Sequence, residues 1–203
     1  MKVWAIIAVA ADFPTELWEM CVRSTARHCE GIIVRMDKFK GTDAVERAEA
    51  IPGVKKVILA EGEWNPSNWR EELVRELDVI RPDIVLTPDH DETFGDGFRE
   101  EMERFWRSDK SGMMFHYATP MPTDDGRVIL GGKAYPSMRH MLCWKWQEEI
   151  GYVPYHGYAR PTPFADEARY WLAATVIHHY SMYTKEMEAA KMGFIKKWWN
   201  GDI

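Results

Sequence analysis

The N-terminal half of the chain alternates short apolar runs with segments whose apolar residues recur at helical spacing. Residues 3–10 (VWAIIAVA) are continuously apolar over the length of a strand, and residues 14–29 then place Leu17, Cys21 and Thr25 on one helical face. The same alternation continues with strands predicted at 31–37, 54–62 and 81–89 and helices at 43–51 and 66–80. This pattern predicts a mostly parallel central sheet with helices on both faces.

The C-terminal half lacks this regular alternation. Residues 98–108 (FREEMERFWRS) have helical spacing, and residues 112–136 predict two strands joined by a turn at TDDG. Residues 139–164 are rich in aromatic residues, proline and glycine, and predict strand and loop over the open end of the sheet. Residues 170–199 predict a largely helical end of the chain. We therefore expect an α+β C-terminal half that follows the α/β half.

Length, charge and cysteine spacing narrow the class of protein. The 203 residues contain no repeat or linker, which favours one domain. A net charge of -6 provides no general attraction to nucleic acid or anionic lipid. The three cysteines have no CxxC spacing and no long apolar segment is present, so we expect a cytoplasmic protein without a transmembrane segment.

Ionisable side chains cluster where the fourth predicted strand ends, in residues 87–94 (TPDHDETF). In open α/β sheets, ligands bind beyond the carboxyl ends of the strands. Asp89 and Asp91 are one residue apart, so both carboxylates can reach one divalent ion, and such hard oxygen ligands favour Mg²⁺ or Mn²⁺. An ion held there could bind a diphosphate. The alternative interpretation is a solvated turn in which Asp89 caps the loop.

The order of these segments resembles that of the family 2-like glycosyltransferases, which have the GT-A fold and a D-x-D motif. The matching segments, which extend over nearly the whole chain, are residues 5–21, 31–50, 63–77, 83–94 (DIVLTPDHDETF) and 176–191 (VIHHYSMYTKEMEAAK). The resemblance implies a single Rossmann-like GT-A domain over residues 1–203. Residues 1–95 would form its nucleotide-binding half and residues 96–203 its acceptor-binding half.

The resemblance also implies a metal site. Asp89 and Asp91 would bind the metal, and Asp91 would be the catalytic residue of the D-x-D motif. His179, directly before Tyr180, would be the C-terminal histidine that completes the diphosphate site. His178 is the alternative ligand, because a shift of one residue in a strand changes which imidazole points inward.

The remaining implied roles concern the nucleotide-sugar donor. Asp37 would meet its ribose or base, and Asp89 would contribute to its binding. Asp12 would also bind the donor, although the family usually has an Asn-Glu pair at this point. Arg70 would lie near the nucleotide or support the D-x-D loop, unless it only pairs with an acidic neighbour at the start of its helix.

These roles together predict a metal-dependent glycosyltransferase of hexosyltransferase type. It would move a sugar from a nucleotide-diphosphate sugar to an acceptor hydroxyl, and Mn²⁺ or Mg²⁺ would neutralise the leaving diphosphate. The acceptor stays open among a glycan, a lipid-linked glycan, a protein, a small molecule and a modified nucleic-acid base. A carboxylate would take the acceptor's proton, and the sequence does not choose among Glu148, Glu149, Asp166 and Glu167.

Other classes of function fit the sequence less well. A metal-dependent sugar deacetylase or hydrolase would need a second cluster of histidine and aspartate after the first strand, but residues 8–16 (AVAADFPTE) contain no histidine. An HD-type phosphohydrolase, suggested by His90 and Asp91, would need an all-helical frame. A non-enzymatic carbohydrate-binding module would bind sugar without metal or nucleotide.

Overall fold

The helices and strands of the N-terminal half lie where the sequence predicts them. The computed structural model describes residues 1–10, 13–37, 43–60, 66–123, 125, 128–131, 139–147, 152–155, 158–161, 170–180, 184 and 186–187. The first elements in chain order are β1 (Val3–Val9), α1 (Thr15–Ala26), β2 (Gly31–Asp37), α2 (Asp43–Glu49), β3 (Val54–Ala60), α3 (Pro66–Ile80) and β4 (Ile84–Leu86). Their regular alternation confirms the predicted α/β half.

Strands dominate the rest of the described chain. The elements are β5 (Glu92–Phe94), α4 (Phe98–Arg107), β6 (Gly112–Pro122), β7 (Val128–Gly131), β8 (Arg139–Lys145), β9 (Tyr152–Tyr155), β10 (Tyr158–Pro161) and β11 (Tyr170–His179). The predicted hairpin is confirmed, because β6 and β7 pair antiparallel across the TDDG segment. β9 and β10 form a separate two-stranded sheet.

The central sheet has the strand order β3-β2-β1-β4-β8-β6-β11-β5, and β7 also pairs with β6. Six strands (β1, β2, β3, β4, β6 and β11) point the same way, whereas β5, β7 and β8 run opposite to them. The sheet is therefore mostly parallel and matches a Rossmann-like domain of GT-A type, as predicted. Strands β1, β4 and β11 therefore all end at the same edge of the sheet.

Helices cover both faces of the sheet, which the alternation of β1 makes possible. One face of β1, which includes Ile7, packs with Trp18 of α1 and Phe98 of α4. The opposite face, which includes Ile6, packs with Leu73 of α3. A strand that is apolar on both faces is typical of a sheet buried between two helical layers. Among the described residues, no helix is long and apolar enough to cross a membrane.

Two predictions for the C-terminal half are wrong. Residues 170–179 form strand β11 instead of a helix, and β8 lies inside the sheet between β4 and β6 instead of over its open end. The buried residues of β11, Ala173 and Ile177, are four apart and so imitate a helical face. Residues 170–179 adopt a strand conformation because they pair with β6 on one side and with β5 on the other. Residues 188–199 of the predicted helix lie outside the described part.

The close packing of β1 against β2 yields a stability prediction. A Cβ atom on Gly31 would lie 2.6 Å from Cη2 of Trp4, a distance that real contacts do not tolerate. We expect Gly31→Ala to lower the free energy of unfolding by about 1–3 kcal/mol, as overpacking does. Urea denaturation of Gly31→Ala, with and without Trp4→Leu, measures this. An equal loss in the Trp4→Leu background would contradict the assigned clash.

Candidate metal centre

The segment between β4 and β5 lies against the carboxyl end of β1. Thr87 donates its backbone N–H to the carbonyl of Leu142, 2.8 Å away, as the chain leaves β4. Nδ1 of His90 is 3.0 Å from the carbonyl oxygen of Ala8, and the ring of Phe13 meets the imidazole edge-on at 4.2 Å between centroids. These contacts hold the loop that carries Asp91 at the edge where ligands of such sheets bind.

Pairing of β5 with β11 brings the central residues of the site together. Glu92 lies opposite His179 in this antiparallel pair, and Tyr180 donates its backbone N–H to the carbonyl of Asp91 at 2.7 Å. The side chains then meet, because Nε2 of His179 is 3.2 Å from Oδ2 of Asp91. Both side chains are mostly buried, with 13% and 11% of their surface exposed. This pair is the centre of the candidate site.

A third acid, Glu92, is almost fully buried beside this pair. Its Oε2 accepts the backbone N–H of Asp89 at 2.8 Å, and its Oε1 accepts the hydroxyl of Tyr117 at 2.5 Å. The Tyr117 ring also lies 5.1 Å from the His179 ring. The Glu92 carboxyl group therefore joins the loop before β5 to Tyr117 of β6, whose ring lies beside the His179 imidazole.

The environment of Glu92 disfavours its charged form. The pKa of Glu92 is raised from 4.5 to about 8, mainly by burial and further by the charges of Asp89 and Asp91, against the opposing effects of His179 and of the Tyr117 hydrogen bond. Burial and the neighbouring negative charges thus favour the protonated form of this carboxyl group.

The donor atoms at this site fit a divalent cation. One ligand atom each from Asp91, Glu92 and His179 lies within 4.8 Å of the others. Adjacent ligands of an octahedral ion with bonds of roughly 2.1 Å are about 3 Å apart, and the His179–Asp91 distance is 3.2 Å. Carboxylate oxygen and imidazole nitrogen are both ligands of divalent metals. The distance between Asp91 and His179 therefore matches that between two adjacent ligands in the coordination shell of such an ion.

The thiol of Cys21 lies near the acids of the site. Burial raises the pKa of the Cys21 thiol, and the charges of Asp91 and Glu92 raise it further. Cys21 is not among the three residues whose potential ligand atoms lie within 4.8 Å of one another.

The structure distinguishes between the two adjacent histidines. Successive residues of a strand point to opposite faces, and His179 is the one beside Asp91. His178 pairs with Thr93 and lines a cleft of about 590 Å³ between α1 and β5, which Arg27 and Asp96 also line. Of the two alternatives that the sequence left open, only His179 has the geometry of a ligand for an ion at Asp91.

The other predicted site residues lie either outside this group of potential ligands or outside the described part of the chain. Asp89 is half-buried and lies outside the group of three potential ligands, so the expectation that Asp89 and Asp91 both bind one ion stays a prediction. Asp37 ends β2 and Arg70 lies in α3, but their side chains, and all of Asp12, fall outside the described part of the chain. The candidate bases Glu148, Glu149, Asp166 and Glu167 fall outside it too.

Sequence reasoning missed Glu92 and Tyr117. Glu92 directly follows the D-x-D pair, and its two-residue spacing from the apolar Phe94 is a weak signal that both face the interior of a strand. Tyr117 has no comparable signal, because it reaches Glu92 only through the neighbouring positions of β6, β11 and β5 in the sheet.

Comparisons with known proteins show distant likenesses only. No protein-family model matches the chain, and no curated protein matches it. Residues 1–349 of TarS from S. aureus are 17% identical over 65% of this chain and 39% of that chain, with a TM-score of 0.45. The same TarS fragment in complex with UDP-GlcNAc is 16% identical over 65% of this chain and 38% of that chain, with a TM-score of 0.45.

A third likeness is to the 4-diphosphocytidyl-2C-methyl-D-erythritol synthase from Anaerococcus prevotii DSM 20548. It is 14% identical over 71% of this chain and 70% of that chain, with a TM-score of 0.44. The likeness to TarS, in contrast, covers only about two fifths of the length of the TarS fragment. Likenesses at this distance do not assign a family.

The raised pKa of Glu92 predicts how stability depends on pH. A carboxyl group whose pKa rises on folding, here from 4.5 to about 8, makes the folded state less stable as pH increases through that interval. Glu92→Gln removes the titration and can keep both hydrogen bonds. In EDTA at pH 9 we expect Glu92→Gln to be more stable than wild type by on the order of a few kcal/mol.

Urea unfolding between pH 4 and pH 9 measures this difference. The advantage of Glu92→Gln should shrink as pH falls and vanish below pH 4.5, where the carboxyl group becomes protonated in the unfolded state as well. An advantage that stays the same at every pH would contradict the raised pKa.

Proposed function

We propose that this chain is a metal-dependent glycosyltransferase whose cation is held by Asp91 and His179 and binds the diphosphate of a nucleotide-sugar donor. The observation that carries the proposal is the 3.2 Å contact between these two side chains, which lie far apart in the sequence. It occurs at the edge where β1, β4 and β11 end, which is where ligands bind in open α/β sheets.

A divalent cation would neutralise the negative charge that develops on the leaving diphosphate. The chain's own contribution is to hold two ligands in fixed positions. The backbone hydrogen bond between Tyr180 and Asp91 sets the position of the loop relative to β11. Limited exposure of both side chains also keeps water away, which strengthens their attraction for a cation.

The nucleotide-sugar donor is supported by the resemblance of residues 83–94 and 176–191 to the family 2-like glycosyltransferases. Both segments contribute to the observed site, since the first carries Asp91 and the second carries His179. We assign donor binding to residues 1–95 and acceptor binding to residues 96–203. Asp12, Asp37, Arg70 and Asp89 remain the proposed contacts to the donor, and Mn²⁺ or Mg²⁺ the proposed ion.

The proposal predicts that nucleotide binding depends on a metal and on Asp91. We expect UDP or another nucleoside diphosphate to raise the melting temperature with Mn²⁺ or Mg²⁺ but not with EDTA, because a ligand of the folded state stabilises it by mass action. Asp91→Asn should abolish this rise. The apo stability of this variant should stay within about 1 kcal/mol of wild type, since asparagine retains an oxygen acceptor beside His179 and relieves repulsion among the acids.

A thermal-shift panel of the common nucleoside diphosphates measures both effects. Equal stabilisation in EDTA, or an Asp91→Asn protein that keeps its metal-dependent shift, would contradict a metal-dependent transferase. Turnover of donor sugars by wild type and Asp91→Asn then tests the transfer reaction itself.

The two adjacent histidines provide a matched pair of variants. We expect His179→Ala to weaken Mn²⁺ binding at least tenfold, because it removes a ligand, and His178→Ala to leave it nearly unchanged, because that imidazole lines the α1–β5 cleft. Titration calorimetry with Mn²⁺ measures both affinities. If His178→Ala were the weaker binder, the ion would lie on the other face of β11.

A further inference from the structure

Both carboxylate oxygens of Glu92 accept hydrogen bonds within the protein. One accepts the N–H of Asp89 at 2.8 Å and the other the hydroxyl of Tyr117 at 2.5 Å. In addition, Glu92 donates its own N–H to the carbonyl of Asp89 at 3.1 Å. The turn from Asp89 to Glu92 is therefore closed by two hydrogen bonds between the same pair of residues.

Tyr117 ties this turn to the centre of the sheet. It lies on β6 and pairs with Ile177 of β11, two residues before His179. Its hydroxyl reaches Glu92 of β5, which lies on the other side of β11 in the sheet. Its ring lies 5.1 Å from the His179 ring and so limits the positions that the imidazole can take. A single side chain thus contacts both parts of the candidate centre.

We propose that Tyr117 and Glu92 are positioning residues of the metal centre, and that Glu92 is not a ligand. Tyr117 orients the Glu92 carboxyl group, which fixes the turn so that Asp91 faces His179. This inference rests on the proposed function only in that the site must hold a divalent cation. It does not depend on which sugar or nucleotide is bound.

Burial separates the positioning residue from the ligands. Glu92 is 1% exposed, so a cation that enters from solvent meets Asp91 and His179 first. Direct ligation by Glu92 would also compete with the hydrogen bonds that close the turn. Partners that orient metal ligands in this way are important for affinity, and their loss typically costs about 10–100-fold.

Tyr117→Phe tests the first half of the proposal. It removes the hydroxyl that holds Glu92 and keeps the ring that packs near His179. We expect Mn²⁺ affinity, measured by the loss of the free Mn²⁺ signal in electron paramagnetic resonance, to fall about tenfold. Tyr170→Phe, at the opposite end of β11, is the matched control and should bind Mn²⁺ as wild type does. Unchanged affinity in Tyr117→Phe, even with a lower melting temperature, would overturn the positioning role.

Two substitutions at Glu92 test the second half. Glutamine can accept from Asp89 and donate to Tyr117, whereas leucine of similar size can do neither. A positioning residue predicts that Glu92→Gln binds Mn²⁺ at least tenfold more tightly than Glu92→Leu. Equal and nearly complete loss in both variants would make Glu92 a ligand and overturn the proposal.

The same titrations separate this inference from the proposed function. If wild type binds Mn²⁺ and Tyr117→Phe weakens it, the positioning role is supported even where no nucleoside diphosphate adds stability, a result that would count against the transferase alone. If wild type binds neither Mn²⁺ nor Mg²⁺, both proposals are overturned.

Discussion

The site depends on the antiparallel pairing of β5 with β11. This pairing places Glu92 opposite His179 and joins Tyr180 to Asp91 through the backbone. β11 itself is held on its other side by β6, which runs parallel to it and carries Tyr117. A short strand of only Glu92–Phe94 therefore connects the loop after β4 to the far half of the sheet. Without the pairing of β5 with β11, nothing would hold Asp91 of the acidic loop beside His179.

The pairing of β5 with β11 also brings several acidic side chains close together where water has little access. Asp89, Asp91 and Glu92 lie near one another, and burial raises the pKa of Glu92 to about 8. His179, the Tyr117 hydroxyl and a backbone N–H offset part of this cost. Groups that repel one another in the free protein are typical of sites arranged for a ligand, and such sites often reduce stability in favour of function.

The N-terminal half could be predicted because its signals are local. Each of β1, β2 and β3 is a short apolar or alternating run, and α1 and α3 have continuous helical spacing. β11 could not be recognised in this way, because its buried residues Ala173 and Ile177 are spaced as on a helix. Its strand conformation is stabilised by hydrogen bonds to β6 and β5, which come from distant parts of the chain.

The sequence by itself determined the fold class and the acidic loop at a strand's end, and the family resemblance led us to expect Asp91 in one site with one of two adjacent histidines. Tertiary structure alone decided between His178 and His179, since strand register selects which of two neighbouring residues faces Asp91. It also added Glu92 and Tyr117, whose contact forms across β11. The physical reason is that residue type and spacing are local properties, whereas register and facing arise from pairing between strands far apart in the chain.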